Sequence, residues 1–236
     1  MNKIHAIIAS LKRIILFSCL FFFQVYAQSP SINSANHIKT NLRTGPNQEK
    51  QYELAAYKSY PIKNTGLFLG FGINARLLSD PRPILLPGTR TLRNQVNRDY
   101  LKGYDLRIWT AGFNGIISYR LFKKAFITIH PEFTSISAGK VLSFDYSNDS
   151  SPNIFLTEQE AKPSPSGFIH PLLKIQGTLQ VSCDLTFQVF KNCYAGLQYS
   201  RTRYEYTTYQ LLRNRNDRFM KGLNLIGICI EVGFPD

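Results

Sequence analysis

His130 and Glu132 are the residues whose types and spacing most suggest chemistry. They stand two apart in "AFITIHPEF", and alternate positions of a strand point to one face. An imidazole beside a carboxylate can do acid–base work. The sequence holds no G-x-S-x-G and no H-E-x-x-H motif to supply a nucleophile or a metal beside them. The preferred reading is therefore structural: an interior polar cluster of Arg76, Arg120, His130, Glu132, Lys174, Asp184 and Glu231. No cofactor and no metal are expected, because no cysteine pair has metal-site spacing.

A second set is basic. Arg201, Arg203, Arg213, Arg215 and Arg218 crowd one stretch beside Tyr204, Tyr206 and Tyr209. The join at 79–106 adds Arg82, Arg90, Arg93, Arg98 and Lys102. A guanidinium fork matches the oxygens of a phosphate. Ordinary solvated loop charge is the alternative. The whole chain carries 28 basic and 15 acidic residues, for a formal charge of +13. Removing the three basic residues of the first 27 leaves 25 against 15, or +10. Such an excess favours anionic partners.

The elements that must position these residues begin with a targeting segment. "MNKIHAIIASLKRIILFSCLFFFQVYAQS" has a basic start, an apolar run and small residues at Val25 and Ala27, which predicts a signal peptide over 1–27. Export makes nucleic acid a poor partner. Residues 28–60 are rich in Ser, Asn, Gln and Lys and read as a flexible leader. From Thr65 onward, period-two alternation predicts strands. "LKIQGTLQVSCDLTFQV" puts Val181, Cys183, Leu185, Phe187 and Val189 on one face and Ser182, Asp184, Thr186 and Gln188 on the other. Six strands are clear. Three cysteines would remain after cleavage. A tight turn at Lys191-Asn192 sets Phe190 opposite Cys193 and Cys183 opposite Ser200, too far apart for a Cys183–Cys193 bridge.

Alternation alone does not say which face is wet. Three features choose. Short joins at Lys123-Lys124 and Lys191-Asn192 alternate with long polar ones at 79–106, 141–167 and 207–220. The polar faces carry Gly, Ser, Thr, Gln and Asn with isolated charges, unlike a solvated surface. Phe122, Phe126, Phe190, Tyr194 and Phe234 lie near the short joins, while Trp109, Tyr199, Tyr204, Tyr206 and Tyr209 lie toward the long ones. Two such belts would bracket a lipid-facing band.

The stretch "AGFNGIISYRLFKKAFITIHPEFTSISAGK" together with "FIHPLLKIQGTLQV" resembles the outer-membrane β-barrel proteins of Bacteroidota, PorT-like members included. The resemblance lies in His130-Pro131-Glu132-Phe133 and Pro171-Leu172-Leu173-Lys174 and covers about residues 65–236. It implies an all-β, antiparallel, up-and-down transmembrane barrel of about eight strands. The missing pair is expected in 50–64, in 79–106 or in a split of 168–190. The resulting organisation is a signal peptide over 1–27, a leader over 28–60 and a barrel over 61–236. The expected function is non-enzymatic: anchoring, envelope integrity or secretion assembly in the outer membrane, with basic loops touching lipopolysaccharide phosphates. Two alternatives remain open: a soluble barrel binding an apolar ligand, and a lipid-modifying enzyme using His130 and Glu132.

Overall fold

The computed structural model describes residues 35–63, 65–88, 93–94, 99–148, 157–169, 175–212 and 216–235. These form fourteen strands: β1 (Ala35–Thr44), β2 (Lys50–Pro61), β3 (Leu67–Asp80), β4 (Ile84–Pro87), β5 (Asp99–Lys102), β6 (Leu106–Phe122), β7 (Ala125–Gly139), β8 (Leu142–Asn148), β9 (Thr157–Pro163), β10 (Ser166–Ile169), β11 (Ile175–Gln176), β12 (Leu179–Phe190), β13 (Cys193–Leu212) and β14 (Asn216–Pro235). Every pairing is antiparallel. Eight strands close on themselves in the order β1-β2-β3-β6-β7-β12-β13-β14, and β14 returns to β1 from Ala35↔Pro235 to Thr44↔Ile226. The signal-peptide expectation lies outside the described residues.

The faces are inverted relative to a water-soluble barrel. On β12, Val181, Leu185 and Phe187 are 47%, 37% and 52% exposed, while Asp184 and Thr186 between them are 0% and 3%. The same holds for Phe71 and Ile73 outside against Asn74 and Arg76 inside on β3, and for Ile226, Ile228 and Ile230 against Cys229 and Glu231 on β14. The alternative of a soluble barrel with an apolar lumen is corrected: the lumen of the eight-strand ring is polar.

The leader expected over 28–60 is also corrected from Ala35 onward. Both missing strands lie there, β2 within the expected 50–64 and β1 ahead of it. β1 was hidden because its inward residues His37, Lys39, Asn41 and Arg43 are charged or polar, and its outward ones include Asn36, Thr40 and Thr44. The 168–190 run does split, but only β12 joins the ring. Gly177, at φ 67°, separates β11 from β12 in a conformation side chains disfavour. At the other end of β12, Asn192 takes φ 60° in the tight turn, which asparagine tolerates. Phe190 stands opposite Cys193 as expected, but an irregularity between Gln188 and Phe190 moves Cys183 from Ser200 to Tyr199. None of Cys183, Cys193 and Cys229 forms a disulfide.

The long joins are not plain loops. β13 and β14 run on past the ring as a paired ribbon to Thr207↔Arg218. There β13 takes β9 as its other neighbour and β14 takes β4. With β4–β5, β5–β8 and β8–β9 this closes a second ring of six strands, β13-β9-β8-β5-β4-β14. It encloses an apolar core of Leu85, Leu101, Phe144, Tyr146, Ala161, Tyr204, Tyr206 and Phe219. Tyr204 and Tyr206 thus leave the expected aromatic belt for this core, while Trp109, Tyr199 and Tyr209 are exposed. Phe126 and Tyr194 also turn away from their belt and stack edge-to-face at 5.5 Å, in the mouth at the short turns. Phe122 and Phe190 remain outside.

Phe144 meets Tyr206 edge-to-face at 5.4 Å in the middle of the second ring. Phe144→Ala is expected to destabilise that ring by about 3–5 kcal/mol. Limited proteolysis should then cut within 81–105 and 140–165 while the eight-strand ring keeps its folded gel mobility. Loss of both together would mean that the rings fold as one unit.

Candidate functional site: the polar interior and its two mouths

The lumen is organised by β1. Four of its residues, His37, Lys39, Asn41 and Arg43, point inward at period two, and between them they reach β2, β7, β12, β13 and β14. His37 Nδ1 lies 2.7 Å from Glu231 on β14, and its ring stacks on Tyr57 at 4.6 Å. Lys39 binds Asp184 on β12 and sits 2.9 Å from His130 Nε2 on β7. The same His130 nitrogen is 2.7 Å from Asp184. It can accept from Lys39 or donate to Asp184, but not both at once.

Arg43 donates to Glu53 at 2.8 Å and Gln180 at 2.9 Å, and also to Gln198. Gln180 donates to Glu53 at 2.8 Å and accepts from Gln51 and Thr202, so one amide ties four strands. Arg76 holds Glu132 in a two-pronged pair at 2.8 and 2.7 Å. The Gln180 backbone N–H donates to the same carboxylate at 2.8 Å. Gly112 makes room for it: a Cβ there would lie 1.8 Å from Glu132 Oε1.

His130 and Glu132 therefore share a face, but no hydrogen bond or ion pair joins them among the described residues. Each belongs to its own buried ion cluster, one with Lys39 and Asp184, the other with Arg76. Among the described residues, no three His, Cys, Asp or Glu side chains gather as a metal site.

Of the expected interior cluster, Arg76, His130, Glu132, Asp184 and Glu231 are buried inward. Lys174 lies outside the described residues. Arg120 is corrected: it is exposed at the short-turn mouth, with its guanidinium 5.4 Å from the Phe68 ring and 5.5 Å from Phe126. Its strand ends there, and among the described residues no carboxylate forms an ion pair with it, although Glu231 lines the same mouth. Sequence reasoning missed His37, Lys39, Arg43 and Glu53; their period-two spacing in "HIKTNLR" and "QYELAAY" was the available signal.

At the long-loop end, polar contacts give way to the apolar core. Lys221 bridges Asp80 at 2.7 Å and Glu49 at 3.1 Å, and the Tyr204 hydroxyl donates to Asp80 at 2.6 Å. Burial, then the Asp80 carboxylate beside it, pushes the Tyr204 phenol well above its usual pKa, so it stays a donor. Leu78, Ile108, Leu223 and Leu225 close the lumen here. The expected anion-binding arginines do not act as one free group. Arg203 and Arg218 both hold the buried Glu205, at 3.0 and 2.7 Å. Arg201 is exposed on the outer face, and Arg213 and Arg215 lie outside the described residues.

Arg76→Met should cost about 3–5 kcal/mol, because it strands the Glu132 carboxylate in the wall. Adding Glu132→Leu should recover most of that loss, as read by urea titration of the folded protein in lipid vesicles. A double variant as unstable as the sum of the singles would deny the pairing. Gly112→Ala should behave like Arg76→Met, by pushing the same carboxylate off its partners.

No family model matches the sequence, and no curated protein matches it. Among solved structures, the chain is similar to Neisserial surface protein A at 10% identity and a TM-score of 0.39, covering 88% of this chain and 100% of that one. It is similar to the outer membrane protein Ail of Yersinia pestis at 9% identity and a TM-score of 0.39, covering 85% and 99%. A major outer membrane protein from Thermus thermophilus is similar at 8% identity and a TM-score of 0.41, covering 85% and 99%. At these scores the fold stands on the chain's own strand pairing: an all-β, antiparallel, closed eight-strand ring.

Proposed function

We propose that the chain is an outer-membrane β-barrel protein with a non-enzymatic structural or interaction role, presenting its six-strand ring outside the cell. The observation that carries this is the closed ring with apolar side chains outside and an ion-paired interior. Lipid allows no unpaired backbone, and closure satisfies every ladder. Val181 to Val189 on β12 and Ile226 to Phe234 on β14 are outward stretches of nine residues, the length that about 9–11 tilted residues need to cross the hydrocarbon. No helix among the described residues is long and apolar enough to cross a membrane, which says nothing against strands.

A narrow ring of eight strands is filled by side chains, which argues for anchoring rather than conduction. The separate ion partners of His130 and Glu132 support a structural role for both. The PorT-like resemblance supports envelope or secretion assembly as the setting. Arg201 rises on the outer face of β13 above Tyr199 and Leu197, which supports contact with lipopolysaccharide phosphates.

The mature protein should fractionate with outer membranes and run faster on gels before heating than after. A chain that stays monomeric in plain buffer would end the membrane reading. Replacing Arg201 by Gln should weaken binding to vesicles containing phosphorylated glycolipid, more so at low salt. Unchanged binding would remove the phosphate contact and leave the barrel standing.

A further inference from the structure

The mouth at the short turns has a chemistry of its own. A cavity of about 210 Å³ opens there, walled by Phe68, Phe126 and Tyr194 and floored by Tyr57, Thr128 and Glu231. Phe68 and Phe126 meet edge-to-face at 6.1 Å, and the Arg120 guanidinium lies over both rings. Cation–π contacts hold it in place and leave its N–H donors unspent. Among the described residues Arg120 has no acidic partner, in contrast to Arg43 and Arg76 in the lumen. Glu231 is already taken up by His37. The rim adds charge of the same sign: Lys63, Lys123, Lys124 and Lys191 are all exposed on the three short joins, and no acid stands among them in the described residues.

We propose that this mouth is a binding site for a carboxylate carried next to an apolar side chain, as at the C-terminus of a peptide. A guanidinium fork receives a carboxylate through two parallel hydrogen bonds. A single guanidinium suits a monoanion, and the nearby Glu231 disfavours a doubly charged phosphate. The aromatic walls take the apolar group, and the volume admits about one side chain with its carboxylate. The bilayer's own headgroups meet the outside of the rim, whereas Arg120 sits inside the mouth. Only the compartment the mouth faces rests on the membrane reading; the site itself rests on this geometry.

The test uses the refolded full mature chain in detergent, with its folded gel mobility checked first. The probes are N-acetyl-phenylalanine, its amide, and an acetylated tetrapeptide ending in phenylalanine, followed by amide NMR. Binding of an acid probe that shifts Ser118, Phe126 and Tyr194, that fails with the amide and that weakens about tenfold or more in Arg120→Gln, supports the site. Binding of the tetrapeptide alone assigns it to chain termini; binding of both acids extends it to small carboxylates. Equal binding of the amide, shifts elsewhere, or no binding at millimolar probe overturns it. A chain that never shows the folded mobility strikes the membrane reading instead, and Arg120→Lys then distinguishes lost charge from lost fork geometry in any soluble fold.

Discussion

Charge inside a closed wall is the constraint on which this structure depends. Glu53, Glu132, Asp184 and Glu231 all point into the lumen, and a lone charge there would be costly. Each carboxylate finds a polar or charged partner on another strand: Glu53 and Asp184 on β1, Glu231 on β1 again through His37, and Glu132 on β3. Three of the four compensations thus come from one strand. That strand is also the one whose pairing with β14 closes the ring. Closure and charge compensation are coupled: without β1, the lumen is open along one side and three carboxylates each lose one partner.

The same arrangement sets what the barrel can do along its axis. Near the short turns the lumen is polar and ends in a shallow mouth. At the other end Leu78, Ile108, Leu223 and Leu225 cross it, and above them the β13–β14 ribbon carries a second, apolar ring. Among the described residues a hydrophobic layer thus stands over the ion-paired core. The two rings share only two strands, so the distal one is held by its own core and by the Lys221, Asp80, Glu49 and Tyr204 contacts at the joint. Buried hydrogen bonds at such a junction fix orientation more than they add stability.

Much of this was legible in the sequence, and the exceptions have physical reasons. The six strands with Ile, Leu, Val and Phe on alternate positions announce themselves, because lipid-facing side chains must be apolar. β1 does not, since its inward face supplies the lumen's cations and its outward face is half Asn and Thr. Charge on alternate residues is as good a strand signal as grease, but it mimics a disordered leader when both faces are polar. The six-strand ring was hidden differently. β4 and β5 have four residues each and close only through long-range pairing. Tyr204 and Tyr206 misled for the same reason: their rings are buried by strands that local periodicity does not reveal.

The ion pairing inside also decides where the chain's positive excess must lie. The lumen uses Lys39, Arg43 and Arg76 against four carboxylates, which gives −1 if both histidines are neutral. The chain beyond residue 27 carries +10. Among the described residues the positive excess therefore lies outside the lumen. Charges there act over about 8–10 Å before salt screens them. A filled, rigid wall does not change shape readily, so recognition falls to its two ends. One end offers arginines partly spent on Glu205, and the other offers a guanidinium over two phenylalanine rings behind a lysine rim. The free guanidinium is the more specific of the two, because its geometry is fixed by aromatic contact and its charge is not already answered.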